Sequence, residues 1–161
     1  MLKEVMEKER DAITKMIEET GGQYEEVLSL FGACRGHIVF MGVGKSGHVG
    51  KKLAATFASL GIPSFFVHST EAMHGDLGMI GREDIAVLVS NSGNTPEVVQ
   101  NVEPLRKNGV PTVAFTSGKE SSLAKACDYA VFYPRLPEAD ALDLAPTVSS
   151  TLTLVLGDAI A

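Results

Sequence analysis

The chain has 161 residues, of which 45% are hydrophobic and 21% charged. That is enough for one domain able to bury roughly 70% of its unfolded surface, which excludes a disordered or low-complexity chain. Asp and Glu outnumber Lys and Arg by 20 to 14, giving a formal charge of −6; a nucleic-acid-binding surface, which needs clustered cations to neutralise phosphates, is excluded with it.

Cys34 and Cys127 stand far apart and outside any CxxC. They signal neither a disulfide framework nor a thiolate zinc site, and both are expected as buried thiols. The N-terminal MLKEVMEKERDAI has no apolar core of a leader sequence, and no run reaches the roughly 20 apolar residues of a membrane span. A cytoplasmic protein that contacts no membrane is expected.

Along the chain, Leu2, Val5, Met6, Ile13, Met16 and Ile17 recur at helical spacing, which predicts a helix from Leu2 to about Thr20 with one buried stripe. Gly21-Gly22 ends it, and a second helix is predicted over 23–34. Then comes alternation: strand 37–41, helix 46–60, strand 64–67, a polar loop with a short helix over 69–80, strand 84–90, helix 96–108, strand 110–115, helix 121–127 and strand 129–133. Apolar runs such as IAVLV and VPTVAF, bounded by Gly, Pro and Asp, read as parallel strands covered on both faces. The expectation is a single α/β domain over 1–161, with a doubly wound, five-stranded parallel sheet. Residues 1–35 supply two N-terminal helices, and 36–161 the sheet core and a terminal helix. That last segment, 146–161, has Pro146 near its first turn and runs LTLVLGDAIA without a C-cap. Such an ending predicts either a chain that continues into a longer protein or a helix buried against a partner subunit.

The stretch MGVGKSGH, residues 41–48, follows a strand and opens a helix, a place for an anion. A Walker A loop would need Gly where Val39 stands, so it fails. Gly42, Gly44 and Gly47 satisfy GxGxxG, but the acid expected at the end of the second strand is absent; that strand closes Phe65-Phe66-Val67-His68, so NAD is a minority reading. Two more strand ends are rich in hydroxyls: Ser90-Asn91-Ser92-Gly93-Asn94-Thr95 before Pro96-Glu97, and Thr116-Ser117-Gly118-Lys119-Glu120-Ser121-Ser122. Any one turn is explained by helix N-capping. Three at the carboxyl ends of parallel strands predict a shared crevice suited to a phosphate monoester. By its position alone Glu97 reads as a helix-capping carboxylate at N3 behind Asn94 ahead of an acid/base group. His74, in a Gly-containing polar loop, fits a loop anchor or a proton carrier. Lys45 offers a point charge to an anion, and Glu138 lies in a long loop of the kind that carries function. His37 and His48 read as structural, while His68 is placed to line the pocket. No HxxxH or HExxH spacing signals zinc, so no metal or other cofactor is expected.

Taken together, GVGKSGHVG, VHSTEAMHGDLGMI, SNSGNTPEVV and LAPTVSSTLTLVLGDA resemble the sugar isomerase (SIS) domain family, in its arabinose-5-phosphate isomerase branch. The resemblance covers nearly the whole chain and implies a flavodoxin-like fold. It implies an aldose–ketose isomerase that interconverts D-ribulose 5-phosphate and D-arabinose 5-phosphate through an enediol, without a cofactor, at the start of Kdo synthesis for lipopolysaccharide. It further implies a homotetramer with active sites at subunit interfaces. By this resemblance chemistry falls on Lys45, His74, Glu97 and Glu138, and phosphate binding on Ser46, Ser90, Ser92 and Thr95; Gly44 and His68 join the substrate-binding set from their places at the strand ends. The branch has Glu at Asn94 and Cys-Pro at Asp140-Ala141. A further family His, in a Ser-His-Pro-Gly-Gly stretch beyond the last helix, and the CBS pair of many relatives are not in this sequence. A non-catalytic sugar-phosphate sensor and a 3-hexulose-6-phosphate isomerase are the rival expectations.

Overall fold

The computed structural model describes residues 2–161. Five parallel strands, β1 (Ile38–Gly42), β2 (Ser64–His68), β3 (Ile85–Val89), β4 (Thr112–Thr116) and β5 (Tyr129–Phe132), stand in the order β2-β1-β3-β4-β5. Every residue of β1, β3 and β4 is buried. This is why these strands are continuous apolar runs with no polar alternation.

On one face, α1 (Leu2–Glu19), α2 (Glu25–Gly32), α3 (Gly44–Ser59) and α8 (Val148–Ile160) pack around Phe40, Leu53, Phe57, Phe115 and Leu152. On the other, α4 (Ser69–Ala72), α5 (Pro96–Val99), α6 (Val102–Lys107) and α7 (Ser122–Ala126) enclose Val39, Met41, Leu88, Leu105 and Leu123. The doubly wound sheet expected from the sequence is therefore the fold. No helix among the described residues is long and apolar enough to cross a membrane.

Several local expectations change. A short 3-10 turn, Gly22–Tyr24, precedes α2. The 69–80 segment resolves into α4 and a 3-10 turn at Asp76–Met79. The helix expected over 96–108 is two helices, because Pro104 has no N–H to donate to the Gln100 carbonyl and its ring crowds that group. The α1 stripe is only half buried: Ala12 and Met16 are in the core, whereas Leu2, Met6 and Ile17 are 75%, 62% and 65% exposed. Both cysteines are free and half-buried instead of fully buried.

The terminal helix packs inside its own chain. Val148, Leu152 and Leu156 join the core, α8 lies against α3 and α1, and Lys52 pairs with Asp158 at 2.6 Å. A Cβ on Gly157 would collide with the Leu53 methyls, so this glycine sets how closely α8 and α3 approach.

Candidate functional site

The strand order reverses direction between β1 and β3. From β1 the chain leaves to α3 on one face, and from β3 to α5 on the other, opening a crevice above their carboxyl ends. Gly42 and Gly47 let α3 start directly over β1: a Cβ on Gly42 would lie 3.1 Å from Gly47 N and 3.2 Å from Val89 O. Close strand-to-helix packing accounts for these two glycines of the GxGxxG pattern without a dinucleotide. Gly44, at φ +54°, makes the turn into the helix. The N–H groups of Gly44, Lys45 and Ser46 open a 16-residue helix and have no intrahelical acceptor, so they face the crevice with the positive end of the helix dipole.

The turn after β3 is held in shape from within. Ser90 is 2% exposed; its Oγ accepts the Gly93 N–H at 3.1 Å and sits 2.9 Å from Thr95 Oγ1. Ser92 Oγ accepts the Asn94 N–H at 3.2 Å, and its side chain lies at the exposed side of the turn. Gly93 has φ +68°, and a Cβ there would run into the Ser121 and Thr116 hydroxyls.

The third hydroxyl-rich turn shares a cleft with the second and also braces it. Thr116 Oγ1 and Ser117 Oγ donate to the Asn91 carbonyl at 3.1 and 2.8 Å, with the Ser117 N–H at 3.0 Å. Asn94 Oδ1 accepts the Ser122 N–H at 2.9 Å, and Ser121 Oγ caps α7 through the Ala124 N–H. These hydroxyls satisfy backbone groups that burial would otherwise leave unpaired.

The same geometry removes the capping box expected for Asn94 and Glu97. Thr95 is the N-cap of α5, Pro96 is at N1, and Glu97 is exposed at N2 with no side-chain partner among the described residues. His74 and Lys45 are also exposed and have no side-chain partner there. His68 ends β2 opposite Gly42 of β1, and its Nδ1 accepts the Thr70 N–H at 3.4 Å.

Glu138 differs from Glu97 in kind. Its Oε2 accepts the Thr147 N–H at 2.8 Å, the Thr147 hydroxyl at 3.1 Å and the Ser149 N–H at 3.2 Å, so it caps α8 from the preceding loop. Partial burial raises its pKa, and the bonds from Ser149 and Thr147 outweigh that, leaving the carboxyl below its ordinary value. The loop is folded on itself: Asp140 accepts the Leu142, Leu144 and Ala145 N–H groups, and Asp143, at φ +53°, accepts the Glu138 N–H.

Lys45, Ser46 and Glu138 meet in a cleft of about 320 Å³ whose wall also includes Asn91, Arg135, Ser149 and Thr153. Ser92 opens to a neighbouring cleft of about 560 Å³ beside Lys15, Lys119 and the same Arg135. Thr95, Glu97, His68 and His74 line neither. Arg135 and Asn91 escaped the sequence reading. Arg135 lies three residues past β5, so the strand-end rule that selected the other turns would have found it.

Fold and site together define an open parallel α/β domain with a polar crevice at its switch point. Residues 33–161 match the SIS domain family model, and the chain belongs to that family. It is 47% identical over 153 residues to arabinose 5-phosphate isomerase KdsD of Pseudomonas aeruginosa, covering 95% of this chain and 47% of that protein. It is 44% identical over 159 residues to KdsD of Escherichia coli K12, covering 99% and 48%. The chain thus spans about half the length of these curated relatives. The structure of E. coli CFT073 c3406 in complex with arabinose 5-phosphate superposes with a TM-score of 0.96 at 47% identity, covering 99% of this chain and 85% of that one.

Proposed function

We propose that this chain is the catalytic sugar-isomerase domain of an arabinose-5-phosphate isomerase, interconverting D-ribulose 5-phosphate and D-arabinose 5-phosphate. The observation that carries the reading is the pairing at the switch point of two polar turns, Gly44–Ser46 and Ser90–Thr95, with Lys45 in the first and Glu97 directly after the second, both with side chains that no neighbour engages. A further support is the arabinose 5-phosphate complex of a relative with the same fold.

Ser46, Ser92, Thr95 and the free N–H groups of Gly44 to Ser46 hold the phosphate, with Ser90 shaping their turn and His68 at its border. Fixing the phosphate fixes the sugar carbons and lowers the entropic cost of reaction. In the aldose-to-ketose direction a base removes the C2 proton, the electron pair forms the C1–C2 double bond, and O1 gains a proton. The same proton pool then reprotonates C1 as the O2 proton leaves, so the reaction is redox-neutral overall. Glu97, an unengaged carboxylate, is the base for carbon; His74 opens the ring and moves the proton between oxygens; Lys45 stabilises the enediolate. Glu138 supports the cleft through the α8 cap.

The proposal extends to a cytoplasmic homotetramer serving Kdo and lipopolysaccharide synthesis. The exposed Leu2, Met6 and Ile17 on α1 support subunit contact, because large apolar side chains gathered on one helix favour cover. Sedimentation at micromolar concentration is expected to give a tetramer, and a monomer would remove that part.

The deciding test is proton NMR of arabinose 5-phosphate with the protein in D2O. Loss of the C2 proton signal with appearance of ketose is expected; phosphate-dependent binding without exchange would replace the isomerase by a sugar-phosphate sensor. Faster turnover of a hexulose 6-phosphate would replace the substrate.

A further inference from the structure

Asn101 lies between α5 and α6, fully buried. The break there removes the regular bond to the Glu97 carbonyl, since the Asn101 N–H turns to Val98 O at 3.2 Å. The Asn101 side chain takes its place: Nδ2 donates to Glu97 O at 2.7 Å and, across the domain, to Ser69 O at 3.0 Å. Ser69 follows His68 and opens α4, the element that leads to His74, and α4 packs directly on α5. One amide therefore joins the backbone that bears Glu97 to the backbone that bears both histidines.

This arrangement is not the cheapest filling for the site. Asn101 Oδ1 and the neighbouring Ser69 Oγ are buried without a hydrogen-bond partner in the protein. An apolar side chain of similar size would occupy the space without desolvating those atoms. The polar residue's distinctive contribution is the two bonds to separate segments, each of which leads to an unengaged candidate acid/base group.

We infer that Asn101 is a positioning residue for the isomerisation: its amide locks the Glu97 helix to the His68–His74 segment, so that the two proton-transfer groups keep a fixed separation. The inference rests on the isomerase reading, and the test separates the two.

The variants are Asn101→Leu, which fills the volume, and Asn101→Asp, which keeps the shape but turns an acceptor toward both carbonyls. Each is assayed with arabinose 5-phosphate well below its own melting temperature, and each is followed by amide hydrogen exchange with mass spectrometry. Asn101→Leu is expected to stay folded and to lose about tenfold or more in kcat while KM changes little, because the phosphate turns keep their own bonds while the reacting groups lose register. Asn101→Asp is expected to lose at least as much. Exchange in Asn101→Leu is expected to accelerate in peptides covering both 69–75 and 95–100. A folded Asn101→Leu with wild-type kcat overturns the positioning role. Faster exchange confined to 95–105, with 69–75 as protected as in the wild type, overturns the link itself. If the wild type shows no isomerisation, the functional reading fails on that result, and the exchange experiment still decides whether the amide couples the two segments.

Discussion

The two ends of the same sheet use charge in opposite ways. At the amino ends of the strands, two carboxylates, Asp84 and Asp128, are engaged on several sides. Asp84 accepts the His37 and Gly81 N–H groups, both at 2.7 Å, and lies 2.9 Å from His37 Nδ1. Asp128 ties the start of β4 through the Thr112 N–H and hydroxyl at 3.0 and 2.8 Å while it holds Arg106 at 2.9 Å. At the carboxyl ends, Lys45, His74 and Glu97 have no side-chain partner among the described residues, while Glu138 beside Lys45 is held by the start of α8. A charge engaged on all sides contributes to holding the fold, whereas one left in water with a fixed backbone is available for chemistry.

The sharpest way to break this contrast is Glu97→Gln. It should lower kcat by about 10²–10⁴ while leaving the melting temperature unchanged; steady-state kinetics beside calorimetry would show either half to be wrong. Asp84→Ala should do the reverse. It strands two partly buried N–H groups, so a loss of about 2–3 kcal/mol in urea unfolding is expected, with kcat intact in the folded fraction.

A smaller effect is a matter of pH. Burial raises the Asp84 carboxyl, but the bonds from Gly81 and His37 prevail and hold it below 3.8, and Glu138 is likewise held below 4.5. A depressed folded-state value gives stabilisation that is complete above the ordinary pKa and disappears as pH falls through the folded one. The urea midpoint should therefore be flat above about pH 5 and fall below about pH 4, and Asp84→Ala should fall less steeply there. Least of all, Lys107→Ala removes an exposed pair with Glu103 at 2.6 Å and should leave the urea midpoint unchanged within error.

The engaged end is also the part least visible in the sequence. Strand runs such as IAVLV and the glycines at 42 and 47 announce buried parallel strands and a close strand-to-helix turn, because period and small size are local signals. His37, which donates to Asp84, and Thr112, which donates to Asp128, stand 47 and 16 residues away, and no local pattern records them. For the same reason the strand-end pattern finds Ser117 at the cleft beside Ser92 but not the bond its hydroxyl makes to the Asn91 carbonyl on the adjacent strand's turn. Glu138 is legible as a loop carboxylate of interest, but its capping of α8 depends on how the loop folds around Asp140. The break before α6 is readable from Pro104, whereas the second bond of Asn101, to Ser69, is not.

The brace on the Asn91 carbonyl also bears on binding kinetics. Three donors from the β4 turn fix the shape of the β3 turn from within the chain. Under the proposed function, phosphate binding at this turn should need little loop ordering to accompany association. Its on-rate should therefore follow diffusional encounter and scale with phosphate concentration, without a slow isomerisation phase in stopped flow.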